Sequence, residues 1–181
     1  MAAPLLSSAK RGAAIDALRL TQNAVLVAFV VTIIVTDWRW RRIPNVVTYP
    51  TMLVGLALSA LEGLPGQAFE RGFLDHAAAL AIAFLVSYPI VALNGMKAGD
   101  GKFLMSVGAL KGTTFLFGAG IYGALIGGIV AIVFIVARRL EAARAGQDSG
   151  LRRLLKGWIP YGVALGLGAL AALAVEWRGI S

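Results

Sequence analysis

The sequence predicts an all-α, polytopic integral membrane protein with about six transmembrane helices. Hydrophobic residues make up 59% of its 181 residues and charged residues only 14%, whereas soluble domains average about half and about a quarter. Mean hydropathy is +0.79. The apolar residues come in long blocks, separated by short charged or Gly/Pro-rich stretches, which is the pattern of spans and loops.

The expected elements run in order. Residues 1–19 carry Lys10, Arg11 and Arg19 and read as a tail or surface helix. No signal peptide is expected, because the first apolar run begins near Ala24 and ends in Asp37-Trp38-Arg39 rather than at a small-residue cleavage site. Span 1 covers Leu20 to Thr36 and span 2 Val46 to Leu61. The loop after span 2 holds Glu62, Glu70, Arg71 and Asp75, with Gly63, Pro65 and Gly66 as breakers. Span 3 runs from His76 to Leu93, and Pro89 is expected to kink it. A Gly-rich turn, Asn94 to Gly101, leads into a short apolar piece, Lys102 to Leu110. Span 5 covers Thr113 to Ala137 and span 6 Trp158 to Val175, joined by a basic loop. Crossing hydrocarbon takes about 17–25 residues, so span 2 is marginal and the fourth segment crosses only with its flanks. A single membrane domain is expected over 20–177, with a short tail at 178–181.

The net charge of +8 is read as orientation in a bilayer, not as nucleic-acid binding. Six alternating spans put Arg39, Arg41, Arg42, Lys97, Lys102, Arg138, Arg139, Arg144, Arg152, Arg153 and Lys156 on one side, which the positive-inside rule makes cytoplasmic. Trp38, Trp40, Trp158 and Trp177 fall at span ends, where aromatic belts lie. Ala119, Gly123, Gly127 and Ala131 in span 5, like Gly162 and Gly166 in span 6, recur every four residues and suit close helix packing. The absence of cysteine excludes disulfides and thiolate chemistry, and the single histidine, His76, is expected to be an interface residue. No metal and no cofactor is expected.

Two of the nine acids stand out. Asp37 lies at the exit of span 1, and Asp100 lies in a glycine-flanked turn at the start of the fourth segment. The topology, drawn from basic residues alone, puts both on the same side. Two carboxyl groups a few ångströms apart share a proton, so one can activate water while the other protonates a carbonyl. Gly95, Gly99 and Gly101 would allow positive φ and the approach of another chain. Lys102 would hold Asp100 ionised or face lipid head groups. The bland alternatives are an Asp37–Arg41 pair one helical turn apart and Asp100 as an ordinary helix N-cap.

The residues then resemble a known family, the type IV prepilin peptidases, membrane aspartic peptidases of the "GxGD" kind. "DWRWRRIPNVVTYP" is similar to the first family motif through Asp37, Ile43, Pro44, Asn45 and Thr48. "KAGDGKFLMSVGALKG" is similar to the second through Gly99, Asp100, Lys102 and Gly108, although Lys97 stands where the first motif glycine belongs. "IPYGVALGLGAL" resembles a Pro-Tyr-Gly segment at Pro160, Tyr161 and Gly162. The resemblance implies that Asp37 and Asp100 are catalytic and that Pro44, Asn45, Gly99, Gly101 and Lys102 support the motifs or the substrate. Tyr161 and Asn94 are further candidates. It implies no cofactor and cleavage at the cytoplasmic face of the bacterial inner membrane. The small, cysteine-free chain resembles the peptidase-only members serving tight-adherence (Flp-type) pili. Their implied substrate is a prepilin with a basic leader, cleaved after a glycine, and an apolar helix. The basic loops would meet anionic lipid. Two other functions stay open: a small proton-coupled transporter using the same acids, and a structural subunit of a pilus or secretion machine with a degenerate site, for which Lys97 is the best support.

Overall fold

The computed structural model describes residues 8–62, 69–144 and 161–179. The expected breakers Gly63, Pro65 and Gly66, most of the basic loop before span 6, Trp158 and Pro160 lie outside the described residues. The described chain is helical and has no strand. Its helices are α1 (Ser8–Trp40), α2 (Asn45–Glu62), α3 (Phe69–Ala92), then a continuous assignment Ala98–Arg144 broken at Gly112, and finally Tyr161–Trp177. We call the two legs around Gly112 α4 (98–111) and α5 (113–144), and the last helix α6. The protein is an integral membrane protein: Gly12–Trp40 and Gly72–Ala92 are long and apolar enough to cross, as is the part of Ala98–Glu141 beyond Gly112, and the shorter apolar α2 and α6 pack beside them.

The break at Gly112 reverses the chain. Gly112 has φ 78° and ψ −174°, a region essentially restricted to glycine. Along α4, Gly101 packs on Ser87 and Gly108 on Ala79, so α4 runs antiparallel to α3. Along α5, Leu116 packs with Ala79 and Ala83, so the chain is back beside α3. A straight helix would carry residue 124 about 35 Å from residue 101 at 1.5 Å per residue, yet both lie next to the same stretch of α3.

Consecutive residues of α3 pin this reversal. The Thr113 amide donates to Asp75 Oδ2 (3.1 Å), and the Thr113 hydroxyl donates to Asp75 Oδ1. His76 Nδ1 lies 2.9 Å from the Ala109 carbonyl and donates to it. Helix ends leave unpaired carbonyls and amides; His76 serves the end of α4 and Asp75 the start of α5. The expectation of His76 as an interface residue is thereby corrected: it is buried, because a helix break inside protein needs its own donors. Asp75 and Glu70 fall within α3, not in a loop, since the helix continues for almost two turns before its apolar part. Asp75→Ala is expected to cost about 0.5–2 kcal/mol, the usual worth of a helix cap, and to lower the thermal midpoint in detergent, while Asp75→Asn retains most of it.

Helix α1 already starts at Ser8 and runs unbroken into the span. Its stripe Leu26, Phe29, Val30 and Ile33 is buried against α4 and α6, and Phe29 stacks on Phe103 with ring centroids 5.4 Å apart. The four-residue glycine stripes pack closely on their neighbours: Gly162 and Gly166 of α6 both face α1, and Gly123 and Gly127 of α5 both face α6. On α6, Gly168 meets the backbone of Gly123 on α5, whereas Gly166 faces Ile34 and Val30 of α1 and Gly162 faces Asp37. A single helix turned by 100° per residue cannot aim 162, 166 and 168 at one neighbour. At the far end of the bundle the Lys111 ammonium pairs with Glu176 (2.9 Å) and donates to Asn23 (2.8 Å), tying α4, α6 and α1 together.

Candidate active site

Helix α1 ends one turn after Asp37. Arg41 takes a left-handed conformation, φ 56°, and its amide donates to the Asp37 carbonyl at 3.0 Å, which terminates the helix. The chain then turns, and the Pro44 carbonyl accepts from the amides of Val47 (3.1 Å) and Thr48 (3.3 Å) to start α2. Asn45 does not orient Asp37 directly. Its Oδ1 accepts a hydrogen bond from the Lys102 ammonium (2.8 Å), which also lies over the Tyr49 ring. Pro44 and Asn45 therefore fasten the start of α2 to α4. Ser106 adds to this seam by donating to the Thr48 carbonyl at 3.2 Å.

Asp37 and Asp100 come together at this end of the bundle. Asp37 is 5% exposed and Asp100 4% exposed, so both carboxyl groups are nearly removed from solvent. Each lies within electrostatic reach of the other. Asp37 Oδ2 has no hydrogen-bond partner among the described residues, an expensive state for a buried polar atom unless the site uses it. Gly162 lets α6 approach: a β-carbon there would stand 2.7 Å from Asp37 Oδ2. Beside it, Tyr161 and Asp100 line an open cleft of about 460 Å³ with Asn94, Gly95 and Lys97. This brings Tyr161 and Asn94 to the site.

The glycines near Asp100 act by closeness and not by unusual dihedrals. None of Gly95, Gly99 and Gly101 has positive φ; Asn94 does, at 57°. A β-carbon at Gly99 would stand 3.1 Å from Ile43, and one at Gly101 2.8 Å from Ser87. These two glycines seat the first turn of α4 against the turn after α1 and against α3. Lys97, at the position of the first motif glycine, has ordinary backbone geometry. Its carbonyl accepts from the Asp100 amide at 3.0 Å, starting α4, while its side chain is exposed. A side chain is accommodated there because neither positive φ nor close packing is required. Lys97, and not Lys102, is the cation whose charge acts on Asp100; Lys102 is turned to Asn45 and Tyr49.

Chemically, two nearly buried carboxyl groups beside an open cleft can hold one proton between them and pass it to a bound carbonyl or take one from water. The cleft residues Val91, Met96 and Ala98 were not legible in the sequence, because their apolar side chains look like any span end.

A family model, that of the type IV leader peptidase family, matches residues 24–132, more than half of the chain. The matched stretch contains both aspartates, and Tyr161 and Gly162 lie beyond it. No curated protein and no solved structure matches the chain.

Proposed function

The chain belongs to the type IV leader peptidase family, and on that premise we propose that it is an aspartic endopeptidase that removes the leader of Flp-type prepilins. The observation carrying the proposal is the convergence of Asp37 and Asp100, from separate helices, into one nearly buried pair. In the proposed reaction the ionised member takes a proton from water as its oxygen attacks the scissile carbonyl. The protonated member gives its proton to the carbonyl oxygen, forming a tetrahedral gem-diol. The peptide C–N bond then breaks, a proton returns to the leaving amine, and the pair is restored with one proton. Gly99 and Gly101 set α4 so that Asp100 faces Asp37, Lys102 and Asn45 hold the α2–α4 seam, and Pro44 turns the chain. The basic residues at the aspartate end, Arg39, Arg41, Arg42 and Lys97, support its placement at the cytoplasmic face of the bacterial inner membrane, against anionic lipid.

The test is a cleavage assay on a synthetic prepilin in detergent, a basic leader ending in glycine followed by an apolar helix, with the new N-terminus read by mass spectrometry. A single cut after the glycine is expected. No cut, or cuts scattered along the chain, would remove the proposal. The same assay grades the contact of α6 with Asp37. Gly162→Ala puts a methyl group against the Asp37 carboxyl, and a misplacement of about 1 Å can cost roughly a hundredfold in rate. We expect kcat to fall by about that factor with little change in thermal midpoint; unchanged kcat would mean that the contact does not position Asp37.

A further inference from the structure

We propose that the groove bordered by α2, α3 and α4 holds one anionic phospholipid, its phosphate on the Lys102 ammonium and the upper part of an acyl chain below. The groove has a volume of about 210 Å³ and is almost wholly apolar. Tyr49 of α2, Phe84 and Tyr88 of α3 and Met105 of α4 line it, with Lys102 at one end. The inference concerns a lipid and not the reaction, so it stands whether or not the chain cleaves a leader.

The two lysines of α4 show why the ligand is an anion. At the far end of the bundle, the Lys111 side chain is 5% exposed and is neutralised by Glu176. At the aspartate end, Lys102 is half-buried. Its ammonium donates to Asn45 Oδ1 (2.8 Å) and lies 5.2 Å from the centre of the Tyr49 ring. Among the described residues no carboxylate pairs with it. An ammonium has three donors, so donors remain for a phosphate beyond the one that Asn45 takes. Asn45 is the first residue of α2, which fixes this charge at the level where the helices end. Tyr49 and Tyr88 beside it are exposed, as the tyrosines of a membrane interface are. Phe84 lies one turn inward of Tyr88 on α3, and Met105 one turn inward of Lys102 on α4. Ser87, the other polar side chain here, is turned back onto the Phe84 carbonyl at 3.4 Å. A fixed cation above an apolar trough matches a phosphate carried on an acyl chain. A second groove at this end has Ile34, Val35, Trp38 and Arg39 as its described lining. These residues all belong to α1, whereas the Lys102 groove draws on three helices. Val91 and Ala98 line both the Lys102 groove and the aspartate cleft, so the lipid borders that cleft.

The test is native mass spectrometry of the protein purified in detergent and offered phosphatidylglycerol and phosphatidylethanolamine of identical chains in equal amounts. Retention of phosphatidylglycerol is expected to exceed that of phosphatidylethanolamine by about fivefold, the usual effect of one basic residue near anionic lipid. Lys102→Gln should abolish the preference, whereas Lys102→Arg and Arg42→Gln should keep it. Equal retention of the two lipids by the wild type, a preference that survives Lys102→Gln, or one that is lost with Arg42→Gln overturns the proposal. The second arm needs no variant and so does not depend on how well Lys102→Gln folds. Phosphatidylglycerol with a photoreactive group in its chain is crosslinked to the wild type, and the labelled peptides are sequenced. Labels at residues 84–88 or at Met105 are expected; labels centred anywhere else, such as residues 34–39 or α5, overturn the proposal. Displacement of the bound lipid by the synthetic prepilin would give the groove to the substrate and overturn it as well.

Discussion

Asparagine at either Asp37 or Asp100 is expected to abolish leader cleavage while the protein still inserts and folds. The substitution keeps the shape of the side chain and removes its capacity to exchange a proton. Asp37 Oδ2 has no hydrogen-bond partner among the described residues, and Asp100 is anchored through its backbone amide to the Lys97 carbonyl, a bond that the change leaves alone. Stability should therefore change little. A positioned general acid or base contributes about 10²–10⁴ in rate, and in a pair sharing one proton the loss of either member disables both. Each single variant should lose about a thousandfold or more, and the double variant should be no worse than either single one. The measurement is the mobility shift of a co-expressed prepilin, with insertion checked by membrane fractionation. Full processing by either variant would remove the aspartate pair from the reaction. The degenerate structural subunit and the proton-coupled transporter would then be the readings left.

Valine at Gly112 is expected to have the largest effect on the fold. Holding a residue with a side chain at this glycine-only dihedral costs about 1–3 kcal/mol, and β-branching adds to it. The new β-carbon would also overlap the Asp75 carboxylate that caps α5. Two supports of the reversal fail together, so the loss should exceed that of Asp75→Ala alone. The readout is the thermal midpoint in detergent, together with proteolysis of the α4–α5 junction. Because α4 carries Asp100 at its other end, activity should fall along with stability. A variant as stable as the wild type would mean that the reversal is not held in this geometry.

Much of this protein was readable without coordinates. The apolar blocks and their lengths specify a helical membrane protein, since water and hydrocarbon sort residues by composition alone. The pair Asp37 and Asp100 was legible because a carboxylate beside an apolar span is costly and has to be accounted for. Helix ends were less legible: α1 and α3 extend beyond their apolar cores, because a helix stops where its backbone is capped and not where hydropathy changes. His76 shows the same limit, its role depending on an unpaired carbonyl at Ala109 that exists only once α4 ends beside it.

Tertiary structure alone decided the rest. Composition and motif spacing single out two acids, each beside an apolar span, and they suggest which glycines are special. They do not determine that Gly162, on the last helix, is what Asp37 touches, that Lys97 and not Lys102 is the cation acting on Asp100, or that Gly99 and Gly101 work by close approach. Those facts depend on which helix faces meet, and the faces are set by the packing of the whole bundle around the reversal at Gly112. Local sequence chooses the helices; only their mutual contacts choose which side chains share a site.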